Sequence, residues 1–164
     1  MQEIIVKMGE IQLITKPNAI LIAPSLGSCI GLAVYDQKSK MAGMIHIVLP
    51  DSHIKHSHNI EEKSGKYADI AIPTLIGKML SLGSKREDLI IKIAGGAQMF
   101  NFKGDSSIMN IGARNIEAVK NALKEMNLVV NSADTGGNSG RTLKLNAFNG
   151  NFYLKVIGQQ EIEF

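Results

Sequence analysis

The sequence predicts an α+β fold of layered α/β type, with mostly antiparallel β-sheet layers and two main helices packed on one face. Three observations predict it. Two pairs of apolar segments, 29–35 with 42–49 and 142–145 with 152–157, are each joined by a short polar stretch. Such pairs read as antiparallel hairpins, the second closed by Asn149-Gly150, a dipeptide suited to the left-handed residues of a tight turn. Only two stretches, 65–82 and 110–126, carry apolar residues at helical spacing. The resulting order of strands, helix, strand, helix, strands is not the regular alternation of a doubly wound parallel sheet. With 164 residues and no internal repeat, low-complexity tract or linker, the chain reads as a single domain over 1–164.

Taken in order, 4–14 reads as one or two short strands broken near Gly9, followed by a turn at Lys16-Pro17-Asn18. The apolar run 19–23 is short enough for a buried strand, stopping at Pro24, with 25–28 as the turn beyond it. From 29 to 35 successive side chains alternate between faces: Cys29, Gly31, Ala33 and Tyr35 on one, Ile30, Leu32 and Val34 on the other. Residues 36–40 form the hairpin loop, and Met44, His46 and Val48 share a face of the returning strand. Pro50-Asp51-Ser52 ends it, and 53–63 is polar and irregular.

The first helix presents Tyr67, Ile70, Ala71, Leu75, Met79 and Leu82 as its apolar stripe. Pro73 inside it predicts a kink or break, and Gly83 a stop. A short strand over 89–94 precedes Gly95-Gly96, and 104–109 is loop. The second helix carries Ile116, Val119, Leu123 and Met126 on its stripe. A strand at 128–131 and a glycine-rich loop at 134–141 lead into the closing hairpin.

Composition excludes several function classes. The 18 basic and 15 acidic residues give a formal charge of only +3, the lysines are scattered, and there is no Trp. A stacking surface for single strands is therefore not expected, and no nucleic acid is expected as a partner. No apolar run approaches the roughly 20 residues of a membrane span, so no membrane insertion is expected. The first residues lack the basic-then-apolar pattern of a signal peptide. The expectation is a cytoplasmic protein.

Cys29 is the only cysteine, so no internal disulfide can form. A lone thiol is either an inert core residue or a nucleophile. With a free pKa of about 8.5, a thiol near neutral pH needs a base, and its substrate needs donors for the developing oxyanion. Gly27 lets the chain turn tightly and can leave the N–H of Ser28 or Cys29 facing a substrate. The base is sought across the hairpin. Cys29 lies nine residues before Lys38 at the loop centre and His46 eight after it. Cross-strand neighbours add to a constant, so this spacing brings thiol and imidazole to the same end of the hairpin. The alternative for His46 is a core imidazole bonded to backbone.

Other motifs carry less. Gly27-Ser28-Cys29-Ile30-Gly31 has the form of a nucleophile elbow, but the elbow needs a helix after the nucleophile, and 32–35 alternates as strand. His53, His56 and His58 form a loose cluster without cysteine, more in keeping with a solvated loop than with zinc. Gly95-Gly96 and Gly136-Gly137 lack the lysine and hydroxyl of a phosphate loop. Asp134-Thr135-Gly136 matches an aspartic protease triplet, which would need two copies.

Several stretches together resemble the CheD family of chemoreceptor glutamine deamidases. They are Leu26-Gly27-Ser28-Cys29, the run from Ala42 through His46 to Ser52, Lys66-Tyr67-Ala68-Asp69, the run from Ala94 to Phe100, the run from Asn110 to Asn115, and Asp134-Thr135-Gly136-Gly137. The resemblance implies a CheD-like layered fold with Cys29 as nucleophile and His46 as its base. It implies hydrolysis of selected glutamine side chains on chemoreceptor cytoplasmic domains, a second partner in the phosphatase CheC, and neither a metal nor an organic cofactor. Gly27 and Ser28 are the expected oxyanion turn. The family usually has a threonine six residues before the cysteine, thought to orient the histidine. Ala23 stands there, leaving Ser25 or a backbone carbonyl for that task. A second expectation is a catalytically weak CheD-like adaptor that binds CheC or chemoreceptors, with Phe100 and Phe102 as an apolar contact patch.

Overall fold

The computed structural model describes residues 1–53, 64–99 and 110–164. Phe100, Phe102, His56, His58 and the loop expected at 104–109 lie outside them. Among the described residues the elements are β1 (Gln2–Ile5), β2 (Ile11–Ile14), β3 (Ala19–Leu26), β4 (Ile30–Asp36), β5 (Ala42–Ile47), α1 (Ala68–Ser81), β6 (Leu89–Gly95), α2 (Ile111–Glu125), β7 (Ser132–Thr135), β8 (Arg141–Asn146), β9 (Phe152–Val156) and β10 (Ile162–Glu163). They form two five-stranded sheets, ordered β1-β3-β8-β9-β10 and β2-β5-β4-β6-β7. The β1–β3 and β6–β7 pairs are parallel, and the others antiparallel. The layered α+β expectation stands.

The alternation of β4 explains the layering. Ile30, Leu32 and Val34 join Ile45 and Ile47 of β5 against Ile72, Leu75, Ile76 and Met79 of α1 and Val119 and Leu123 of α2. On the opposite face Cys29, Ala33, Tyr35 and Met44 pack between the sheets with Leu21, Ala23 and Leu26 of β3 and Leu143 and Leu145 of β8. Both faces of β4 are therefore covered, and each of its larger aliphatic side chains stabilises the fold by roughly 1.5–3 kcal/mol through burial. Asp36 closes the β4–β5 turn, its Oδ1 accepting the N–H of Lys38 at 2.9 Å and of Ser39 at 3.1 Å. Burial pushes its carboxyl pKa up, but hydrogen bonds from Ser84, Ser39 and Lys38 outweigh that and hold it below the ordinary value.

The structure moves several expected boundaries. β3 continues through Pro24 to Leu26. A register shift between Ala23 and Leu26 takes Pro24 and Ser25 out of the pairing with β8, so no ladder bond is required of the N–H that proline lacks. α1 starts at Ala68 and runs through Pro73, which lies on its exposed side. Its buried stripe includes Ile72 and Ile76, whereas Ile70 and Leu82 are exposed. Ile70 lies on the opposite side of the helix, and Leu82 is the C-cap residue. β7 begins at Ser132, beyond the expected 128–131. Asn131 first makes a side-chain bond, its Oδ1 accepting the Ile91 N–H at 2.8 Å, and the parallel ladder starts one residue later.

Candidate active site

β4 and β5 bring Cys29 and His46 to one face at one end of the sheet. His46 pairs with Gly31, two residues past Cys29. Successive side chains alternate, so Cys29 and His46 lie on the same face as diagonal neighbours, and the residue opposite Cys29 is Val48. The β4–β5 ladder ends at Ile30 and Ile47, and Cys29 stands just outside it. Cys29 is 7 % exposed and His46 3 %.

The segment crossing from β1 to β2 holds His46. Val6 extends β1, its N–H donating to Ile22 O at 2.7 Å, and its carbonyl accepts from His46 Nδ1 at 3.0 Å. The main chain of His46 is fixed by the same crossing: its carbonyl accepts from Gly9 N at 2.8 Å and its N–H donates to Glu10 O at 3.1 Å. A carbonyl can only accept, so the proton sits on Nδ1 and the lone pair on Nε2. Among the described residues Nε2 is buried with no hydrogen-bond partner. The partner of Nδ1 is thus the Val6 carbonyl. Ser25, offered for this role by the sequence, is exposed with φ 54°.

A different set of contacts fixes the turn that leads into Cys29. Gly27 O accepts from Ala97 N and Cys29 O from Gly96 N, both at 2.9 Å. Ser28 O accepts from Asn115 Nδ2 at 2.8 Å, and the same nitrogen donates to Val48 O at 2.9 Å. Gly95 has φ 117°, and a Cβ there would lie 2.1 Å from Cys29 O, so only glycine fits. All three carbonyls from 27 to 29 are engaged, while no backbone acceptor among the described residues takes the Cys29 N–H.

Burial pushes the Cys29 thiol up to about 11, against the smaller lowering effect of its own backbone N–H. Burial also lowers His46, with the Val6 carbonyl and then the Glu10 carboxylate acting the other way. The resting site is therefore a neutral thiol beside a neutral imidazole. At pH 7 a thiol of pKa about 11 is ionised to on the order of one part in 10⁴. Rapid alkylation at neutral pH is not expected of such a thiol. The arrangement suits proton transfer to Nε2 as sulfur attacks, because tight thiol–base geometry commonly forms only with substrate bound.

The sequence reading does not single out Asn115, yet a signal was present. Asn115 stands four residues before Val119 and eight before Leu123, on the buried stripe of α2. An amide in such a stripe must find partners. Among the described residues no group of three His, Cys, Asp or Glu side chains is placed to hold a metal ion.

Comparisons with known proteins bear on this site. Residues 48–156 match the family model described as CheD chemotactic sensory transduction. The chain is 46 % identical to the "Probable chemoreceptor glutamine deamidase CheD" of Clostridium botulinum (strain Eklund 17B / Type B), over 95 % of this chain and 94 % of that one. It is 41 % identical to the "Chemoreceptor glutamine deamidase CheD" of Halalkalibacterium halodurans, over 96 % of each. Alignments of this extent span Cys29 and His46, which the family-model match, starting at residue 48, does not. Among solved structures, the C-terminal domain of CNFy from Yersinia pseudotuberculosis aligns with 99 % of this chain and 62 % of its own at 11 % identity, with a TM-score of 0.45, a likeness too slight to bear on the site.

Proposed function

The chain belongs to the CheD family, and on that premise we propose that it is a cysteine-dependent deamidase, one CheD-like domain that converts glutamine side chains of chemoreceptor cytoplasmic domains to glutamate. The observation that carries this reading is the diagonal placement of Cys29 and His46 on one sheet face, with the lone pair of Nε2 unused. His46 Nε2 takes the thiol proton as Cys29 Sγ attacks the side-chain amide carbon. The carbonyl oxygen becomes an oxyanion, within reach of the Cys29 N–H. The imidazolium returns the proton to the amide nitrogen, ammonia leaves, and a thioester remains. Water then attacks the thioester while His46 takes a proton from it. The imidazolium returns that proton to the sulfur as the C–S bond breaks, and the carboxylic acid departs and ionises to glutamate in solvent.

The third group of the site is the Val6 carbonyl. Main chain does this work, so Ala23 removes a hydroxyl without removing the orienter of the base. No helix among the described residues is long and apolar enough to cross a membrane, and a protein acting on receptor cytoplasmic domains belongs in the cytoplasm. CheC is the second partner in this reading.

The test is incubation with a receptor cytoplasmic fragment and mass-spectrometric mapping of amide-to-acid conversion. Conversion by the parent protein and none by Cys29→Ala is expected. Equal conversion by both would remove the thiol from the mechanism.

A further inference from the structure

Asn115 reaches the nucleophile turn from behind. α2 covers the face of β4 that carries Ile30, Leu32 and Val34, while Cys29 points into the layer between the sheets. Asn115 is 0 % exposed, its amide nitrogen donates to two main-chain carbonyls, and its Oδ1 is buried with no hydrogen-bond partner among the described residues. Its two targets, Ser28 O and Val48 O, are both acceptors. A carboxamide nitrogen carries two donors, where a hydroxyl has one and an ionised carboxylate none. This bridge takes the place of a direct Cys29–Val48 pairing beyond the last rung of the ladder at Ile30 and Ile47. The helix is seated closely enough for it: a Cβ on Gly112 would lie 2.5 Å from the carbonyl oxygens of Gly96 and Ala97.

The consequence lies in the peptide between Ser28 and Cys29. No cis peptide is present among the described residues, and in a trans peptide C=O and N–H point in opposite directions. With Ser28 O held by Asn115, the Cys29 N–H points away from that amide. The lowering effect of this N–H on its own thiol agrees with that direction.

We propose that Asn115 is a positioning residue that aims the Cys29 N–H at the oxyanion by holding the Ser28 carbonyl, and keeps the end of β5 beside it by holding Val48. This rests on the thiol mechanism above, and the experiment separates the two. Parent, Cys29→Ala, Asn115→Ala and Asn115→Ser are compared for deamidation of a receptor fragment, for Cys29 alkylation by iodoacetamide, and for thermal unfolding. Alkylation is a displacement at carbon and develops no oxyanion, so it reads the thiol without the donor. With the donor still present but no longer aimed, kcat is expected to fall on the order of tenfold to 10²-fold, at or below the roughly 10²–10³-fold loss of a deleted donor. KM and the alkylation rate should stay within about threefold of the parent. Asn115→Ser, with one donor, should fall between parent and Asn115→Ala, and it supplies the result if the alanine variant does not fold. The proposal is overturned if kcat of the folded variants stays within about threefold of the parent, or if kcat and alkylation fall together, which would place the effect on the fold or on the thiol–imidazole pair. Equal turnover by parent and Cys29→Ala would instead overturn the thiol mechanism on which it rests.

Discussion

The two halves of the site are held by different means. On the His46 side, the described hydrogen bonds come from main chain: the carbonyl of Val6 on Nδ1, and the backbone of Gly9 and Glu10 on the backbone of His46. On the Cys29 side main-chain bonds from Gly96 and Ala97 are joined by contacts that depend on particular side chains or on their absence. Asn115 supplies an amide, and Gly95 leaves room for the Cys29 carbonyl. A main-chain contact survives most substitutions at the residue that makes it. A side-chain contact does not. The proposed base, His46, should therefore tolerate changes at its support, and the proposed nucleophile, Cys29, should not.

The largest effect expected is removal of the base itself. His46→Asn should lower kcat by 10²-fold or more, within the usual range for a general acid–base group. Steady-state deamidation measures it, and a loss below tenfold would remove His46 from proton transfer. Next comes Gly95→Ala, which puts a methyl group into the Cys29 carbonyl at a left-handed φ. It should cost more than about 2 kcal/mol in urea unfolding and lower turnover with it.

Val6→Ala is the opposite case. Val6 is fully buried, so truncation should cost about 2 kcal/mol of stability, while the carbonyl on Nδ1 remains and kcat stays within about threefold. A tenfold loss of kcat at unchanged fold would show that the base needs the Val6 side chain as well.

The smallest expected effect is on the pH dependence of stability. Folded His46 titrates below its unfolded value of 6.5 because it is buried. As pH falls through 6.5 the unfolded chain takes up a proton that the folded chain does not, so stability is lost toward acid, by at most about 1.4 kcal/mol per pH unit. Urea midpoints of His46→Asn should show a flatter slope between pH 6.5 and acid than those of the parent. Parallel slopes would count against a neutral, buried imidazole.

Much of this site was legible in the chain. Alternation along β4 and β5 is a local property, and the short polar loop between them leaves little freedom of register. Counting outward from Lys38 brings Cys29 and His46 to the same end of the hairpin, but their shared face follows only from the observed register, in which His46 pairs with Gly31. Helical spacing placed α2 almost to the residue, with Asn110 capping it through the Ala113 N–H at 3.3 Å. It was less successful for α1, where the apolar residues nearly encircle the helix and Ile70 competed with Ile72 and Ile76 for the buried side. β3 ran past Pro24 because a bulge, invisible in composition, excused the missing N–H.

What the sequence determined by itself was the layered α+β class, the β4–β5 hairpin, and a thiol and an imidazole at the same end of it, since each follows from short loops and from periods of two and of 3.6 along neighbouring residues. Tertiary structure alone decided what surrounds that pair. Val6 meets His46 across 40 residues, and Asn115 meets Ser28 across 87. No local pattern names the partner in either contact: every residue has a carbonyl, and the stripe of α2 marks Asn115 as buried without saying which groups its amide meets. Periodicity tells which way a side chain points. Which partner waits there depends on how the layers close.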